Sequence, residues 1–412
     1  MFTYRIAATG LCLAALYSVS NAADNATSAS AFNPAISLIL NGSYANLSND
    51  PKNYKLQGFM PSGGEVGPGD RGLRLGESEL SLSANVDPTF SGRVTASITP
   101  EKTVEVEEAL FEQQGLFNGA TLKGGRFLSS IGYLNSQHAH AWDFADAPLV
   151  YQAFFGGPLK TDGLQLKWLA PTDRFVEIGA ELGSGRSFPG SDTGRNGAGA
   201  TSLFAHVGDD VGESASWRAG VSWLHHRVTD RTYDDTNATG NPVTNSFSGK
   251  SNTWVLDGIY KWSPGGNGTS QNLKIQGEYF HRTEDGTLGF DTQTQPGGIV
   301  ADDYRSTQSG WYLQAVYQFM PMWRVGARYD RLSSGSPQIA LLKTSVVTAA
   351  DFPVLQSAHP TRSTVMLDYS MSEFSRLRLQ VAADRSNPTV STDRQLFVQY
   401  IMSLGAHGAH SF

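Results

Sequence analysis

The stretch Trp311-Tyr312-Leu313-Gln314-Ala315-Val316-Tyr317-Gln318-Phe319-Met320-Pro321-Met322-Trp323-Arg324-Val325-Gly326-Ala327-Arg328-Tyr329-Asp330 decides how the chain is read. Trp311, Leu313, Ala315, Tyr317 and Phe319 share one parity, against Tyr312, Gln314, Val316 and Gln318 on the other. Beyond the tight Met320-Pro321-Met322 connection, Trp323, Val325, Ala327 and Tyr329 repeat the pattern against Arg324, Gly326, Arg328 and Asp330. A period of two with one apolar and one polar face marks a strand, and two such runs across a short turn mark an antiparallel hairpin. Leu377, Leu379, Val381 and Ala383 alternate with Arg378, Gln380, Ala382 and Asp384 in the same way.

Working outward, such runs recur near residues 35–46, 72–86, 89–99, 103–114, 119–128, 161–170, 174–183 and 200–207. Eight more follow near 216–226, 251–262, 272–282, 305–319, 322–331, 359–370, 376–384 and 393–404. Most are about ten residues, the length a tilted strand needs to cross a hydrocarbon layer. Connections alternate between long ones, near 47–71, 129–160, 184–199, 227–250, 283–304 and 332–358, and short ones such as Asp87-Pro88 and Pro171-Thr172-Asp173. That sidedness, an even strand number and aromatics near strand ends (Trp217, Trp223, Trp254, Trp262) predict an all-β, up-and-down, antiparallel transmembrane barrel of about sixteen strands in a Gram-negative outer membrane. The weighed alternative is a large exported soluble β-protein. Composition agrees with the barrel: 44 Gly, 18 Pro and 11% aromatics among 412 residues, with only 17% charged. A helical bundle would be richer in Ala, Glu, Lys and Leu. The net charge of −7 gives no basic footprint for nucleic acid.

At the start of the chain, Arg5 precedes an apolar run from Ile6 to Val19 and the small residues Ser20-Asn21-Ala22. This reads as a secretory signal over residues 1–22, followed by a short periplasmic segment, 23–33, and the barrel over 34–412. Cys12, the one cysteine, falls within the signal. At the other end, Leu396, Val398, Tyr400, Met402, Leu404 and Phe412 share a parity, as expected of a closing strand read by the barrel assembly machinery.

Gly76-Glu77-Ser78-Glu79-Leu80, then Val104-Glu105-Val106-Glu107-Glu108-Ala109, then Leu122-Lys123-Gly124-Gly125-Arg126-Phe127-Leu128 resemble, in that order, the amino-terminal third of phosphate-selective-porin-type outer-membrane channels. The segments Ser130-Ile131-Gly132-Tyr133 through Trp142-Asp143-Phe144 and Gln399-Tyr400-Ile401-Met402 through His410 are similar to a group of proteobacterial outer-membrane proteins labelled zinc-regulated or TonB-dependent outer membrane receptors. The resemblance implies a porin-like channel with a long loop folded into the pore. A TonB-dependent transporter carries a plug ahead of a 22-stranded barrel. Sixteen strand-like runs beginning at Ala35 predict neither, so a channel for passive passage of small hydrophilic solutes or ions, narrowed by residues 129–157, is the leading expectation.

The parity rule places Glu79, Arg93, Glu105, Glu107, Lys123, Arg324, Arg328 and Arg378 on the pore lining, with Lys167, Arg218, Lys274, Glu177, Glu181, Glu278, Asp330 and Asp384 beside them. The signs nearly balance, which argues against the ring of basic side chains an anion pore uses. Within the long loop, His138 and His140, with nearby Asp143, are competent Zn²⁺ ligands. That makes a zinc-linked receptor or uptake protein the alternative, Zn²⁺ being the one cofactor considered. The blander reading is a folded loop whose imidazoles bond lumen carboxylates and whose Trp142, Phe144, Phe154 and Phe155 pack on the wall. No nucleophile-elbow pattern is present, so the chain reads as non-enzymatic, with an outer-membrane hydrolase as a further alternative. Expected partners are outer-membrane lipid and, by analogy with porins, two further copies in a homotrimer.

Overall fold

A computed structural model describes residues 34–62, 66–99, 103–292, 298–344 and 346–405. The signal, the 23–33 segment and Phe412 lie outside the described residues. Among those described, no helix is long and apolar enough to cross a membrane. The chain instead closes a single antiparallel barrel of sixteen strands. These are β1 Ala35–Leu47, β2 Gly72–Leu75 continued by Ser78–Asn85, β3 Phe90–Ile98, β4 Val104–Leu116, β5 Ala120–Leu128, β6 Lys160–Leu169, β7 Phe175–Gly183 and β8 Ala200–Val211. The second half is β9 Ala215–Thr236, β10 Pro242–Trp262, β11 Asn272–Asp291, β12 Ile299–Met320, β13 Trp323–Ser333, β14 Thr361–Ser372, β15 Ser375–Arg385 and β16 Asp393–Gly405. Each strand pairs with its sequence neighbours, and β16 returns to β1 from Ser37↔Gly405 to Leu47↔Gln395. Closure pairs the wall strands on both sides; above it, the extensions of β9 beyond His226 and of β12 before Ser309 have one partner strand, except where Tyr304 and Arg305 also meet Ile339 and Gln338.

Alternation gives the wall an inside-out polarity. Leu40, Leu80, Val94, Leu164, Trp254, Leu256, Leu313, Val365 and Val381 are exposed on the outer face. Glu79, Gln165, Glu181, Glu278, Arg282, Gln314, Asp330, Asp368 and Arg378 are buried inside. A water-soluble barrel would invert that arrangement; an apolar exterior and polar interior suit a bilayer.

Two stretches expected as loops, 227–250 and 283–304, are mostly strand. β9 to β12 run 20 to 22 residues each. Beyond the bilayer their apolar residues turn inward: Tyr233, Val243, Phe247, Leu288, Phe290 and Tyr304 cluster with Met60, Phe352, Val354 and Leu355 from the long loops. The outward face there meets water rather than lipid, so the apolar-out rhythm that marks a spanning strand is absent.

Candidate functional site in the barrel lumen

Residues 129–159 leave β5 and turn into the barrel instead of standing over its rim. Ser129 Oγ and Ser130 N donate to Glu181 at 2.6 and 2.8 Å, fixing the entry. Asn135 closes the base of the loop: its amide donates to the carbonyls of Ser129 (2.8 Å) and Leu159 (3.1 Å), and its Oδ1 accepts from Leu159 N (2.7 Å). Gly132 adopts φ +66°, and a Cβ there would lie 2.4 Å from Glu278 Oε2, so glycine permits this turn to touch the wall. Glu278 then accepts from Leu134 N (2.8 Å), Tyr151 OH (2.8 Å) and Tyr312 OH (2.9 Å).

A short helix, α1 Leu149–Phe155, begins after Pro148 and ends at Gly156 in the left-handed conformation (φ +75°). All seven of its residues are buried. A surface helix shows one apolar stripe, whereas burial on every side requires an apolar run such as Leu-Val-Tyr-Gln-Ala-Phe-Phe. Phe154 packs on Phe59 and Phe280, with the Arg282 guanidinium 4.7 Å from its ring centroid. Phe144 packs with Val316 and Met366, and Trp142 joins the cluster around α1. The packing expected of the four aromatics is present.

Between these anchors the segment crosses the lumen with its charges sorted by wall. On the β11–β15 side stand Lys274, Arg324, Arg328, Arg362, Arg376 and Arg378. Asp143 pairs with Lys274 and, at 3.4 Å, Arg324, and accepts from Gln314 Nε2 at 3.0 Å. Asp146 accepts from Arg328 (2.9 Å) and Gln380 (3.0 Å) and pairs with Arg362 at 2.6 Å. Burial alone would raise both aspartate pKa values; Lys274 and Arg324 hold Asp143, and Arg362 and Arg328 hold Asp146, below the usual carboxylate range. Arg376 and Arg378 donate to the carbonyls of His140 (2.7 Å) and Trp142 (2.9 Å).

The opposite wall, β2 and β4, is acidic. His138 Nδ1 lies 2.8 Å from Glu107 Oε2 and 3.4 Å from Glu79 Oε2, and its Nε2 lies 3.2 Å from Glu108 Oε2. His140 Nδ1 is 2.7 Å from Glu79 Oε1. Burial would lower the His138 pKa, but its bonds to Glu107 and Glu108 hold it well above the ordinary value.

All eight sequence-derived lining residues face inward, in unequal settings. Arg328 and Arg378 are locked beneath the inward segment, their side chains 1% exposed, whereas Arg93 is 43% exposed. Glu105 beside Lys160 is 49% exposed. With the half-buried Lys123, Lys167 and Arg218 these form a strip of mixed charge along β3 to β9. His138 and His140 lie together, ring centroids 5.8 Å apart. Asp143 does not join them. It sits on the basic wall, where two cations already neutralise it, and this corrects the grouping of all three as metal ligands.

Glu108 was missed because β4 carries a bulge: Thr95 pairs with Glu108 while Ala96 pairs with Val106, leaving Glu107 as the extra residue. Two consecutive carboxylates therefore point inward, which strict alternation forbids. Arg362 and Asp368, by contrast, stood on the inward parity of their strand and could have been named.

The fold and lumen define a porin-like transmembrane β-barrel. In structure the chain is similar to OmpTdeltaL8, a loop L8 deletion mutant of the Vibrio cholerae outer membrane protein OmpT (TM-score 0.53, 10% identity, 90% of this chain and 99% of that one). It is also similar to OprB of Pseudomonas putida (TM-score 0.53, 14% identity, 90% and 94%) and to the trimer form of OmpT (TM-score 0.51, 11% identity, 90% and 99%). By sequence, the chain belongs to the family of an Aquifex aeolicus (strain VF5) protein to which it is 30% identical over 406 residues, covering 93% of this chain and 80% of the relative, whose own description is "Uncharacterized protein". No family model matches the chain.

Proposed function

We propose that the protein is an outer-membrane channel for passive passage of small hydrophilic solutes or ions, narrowed by the segment at residues 129–157. The observation that carries this reading is the sorted crossing of the lumen. His138 meets the acidic wall, Asp143 and Asp146 meet the basic wall, and Arg93 and Glu105 stay exposed beside them. Selection in such a passage rests on width and on lining charge. The strip carries both signs, which favours weak ion preference over a dedicated phosphate path. Two further proposals accompany this one: insertion in a Gram-negative outer membrane, and assembly as a homotrimer.

Liposome swelling with sugars of increasing size tests the proposal. Uptake of the smallest sugars with a sharp size cut-off is expected. Folded, heat-modifiable barrels that leave liposomes impermeable to every solute would overturn it.

A further inference from the structure

Three carboxylates crowd the His138 ring. Glu79 from β2 and Glu107 and Glu108 from the β4 bulge converge on one imidazole. The Glu77 side chain also reaches Glu107. Arg93 lies 3.4 Å from Glu108 and Lys160 3.8 Å from Glu107, and the charge of Lys123 also acts on Glu108. Glu79 Oε2, Glu107 Oε2 and His138 Nδ1 present one ligand atom each, all within 4.8 Å of one another.

From these we infer a divalent transition-metal site made by Glu79, Glu107 and His138, joining the inward segment to the barrel wall. The spacing is near what a metal needs: ligand atoms held about 2.1 Å from a Zn²⁺-like centre stand roughly 3 to 3.4 Å apart, and His138 Nδ1 lies 2.8 Å from Glu107 Oε2 and 3.4 Å from Glu79 Oε2. Imidazole nitrogen with carboxylate oxygen suits borderline first-row cations and not Ca²⁺, whose ligands are all oxygen. Three protein ligands leave positions for water. Glu108, on the far ring nitrogen of His138, is the second-layer carboxylate that orients a ligating imidazole. The bulge supplies the geometry, since without it Glu107 and Glu108 could not both face the lumen. An entry path exists along the exposed Glu105 and Arg93 side of the passage. The cation would take the place of the proton now shared between His138 and Glu107, which is released to solvent.

The test is equilibrium binding, read without any current, so its failure is distinct from failure of the channel reading. The full barrel in detergent is titrated with Co²⁺, followed by its visible absorption, then with Zn²⁺ as competitor. One Co²⁺ per chain is expected, with affinity at least about tenfold weaker in Glu107→Gln and His138→Gln and unchanged in Asp143→Asn, on the opposite wall. Folding of each variant is checked by heat-modifiable migration; if His138→Gln does not fold, Glu79→Gln takes its place. A folded wild type without a Co²⁺ spectrum at millimolar metal overturns the inference. So does equal affinity in wild type and the Glu107 and His138 variants.

Discussion

Asp146→Ala is the perturbation most informative about how the inward segment is held. The carboxylate is shared by Arg328 at 2.9 Å, Arg362 at 2.6 Å and Gln380 at 3.0 Å, and both arginine side chains are almost fully buried. Removing one partner of a buried ion pair costs about 3–5 kcal/mol, because the remaining charge stays desolvated. Here the lower end applies: Arg328 keeps Asp330 at 3.0 Å, and Arg362 keeps Asp330 at 3.6 Å and Asp384 at 3.9 Å. Release of the segment would rehydrate both guanidinium groups, so the cost appears as easier local opening rather than as unfolding of the barrel. At about 1.4 kcal/mol per tenfold, about 3 kcal/mol is roughly two orders of magnitude in the opening equilibrium. Hydrogen exchange reads that equilibrium at the amides of Leu134 and Leu149, which donate to Glu278 and Asp330. Exchange faster by about a hundredfold in the segment, with β9 to β12 unchanged, is expected. Segment amides within about threefold of wild type would refute the idea that Asp146 is a principal anchor.

Acid should act on the same contacts. Asp143 and Asp146 have folded pKa values below their unfolded ones, so their contribution is full above about pH 4 and is lost as pH falls through the folded values. Larger conductance steps below the folded pKa values than at pH 7 are expected, and equal steps would count against electrostatic closure. Phe154→Ala removes a fully buried ring that meets Phe59 and Phe280, at a cost of about 3–5 kcal/mol. Its loss of hydrogen-exchange protection should be confined to the segment and the loop holding Phe59. Leu313→Arg places a charge on the exposed outer face and should cost about 2–4 kcal/mol of folding stability in lipid, read by urea titration in bilayers.

Parity and turn placement made most of the wall readable in advance. The alternating run Trp311 to Asp330 forms the β12–β13 hairpin, with Leu313 outside and Gln314 inside. Parity fails where its physical premise fails. At the β4 bulge one inserted residue sends Glu107 and Glu108 to the same side. Above the bilayer, in the upper halves of β9 to β12, water replaces lipid outside and the apolar residues turn in to meet Phe352, Val354 and Leu355. His138 and His140 were legible as a pair, but their partners were not, since Glu79 lies 59 positions or more away in sequence and only barrel closure brings it near. Asp143 shows the converse: proximity in sequence grouped it with the histidines, while an extended segment crossing the lumen carries it to the other wall.

Single-channel recording of the wild-type barrel in planar bilayers, under a salt gradient, shows whether the lumen conducts. Discrete steps at neutral pH and a reversal potential near zero are expected, since Arg93, Lys123 and Lys167 are paired with Glu108, Glu112 and Glu177 and stand beside Glu105. A heat-modifiable, inserted barrel that stays silent at neutral pH and again after acidification would contradict it.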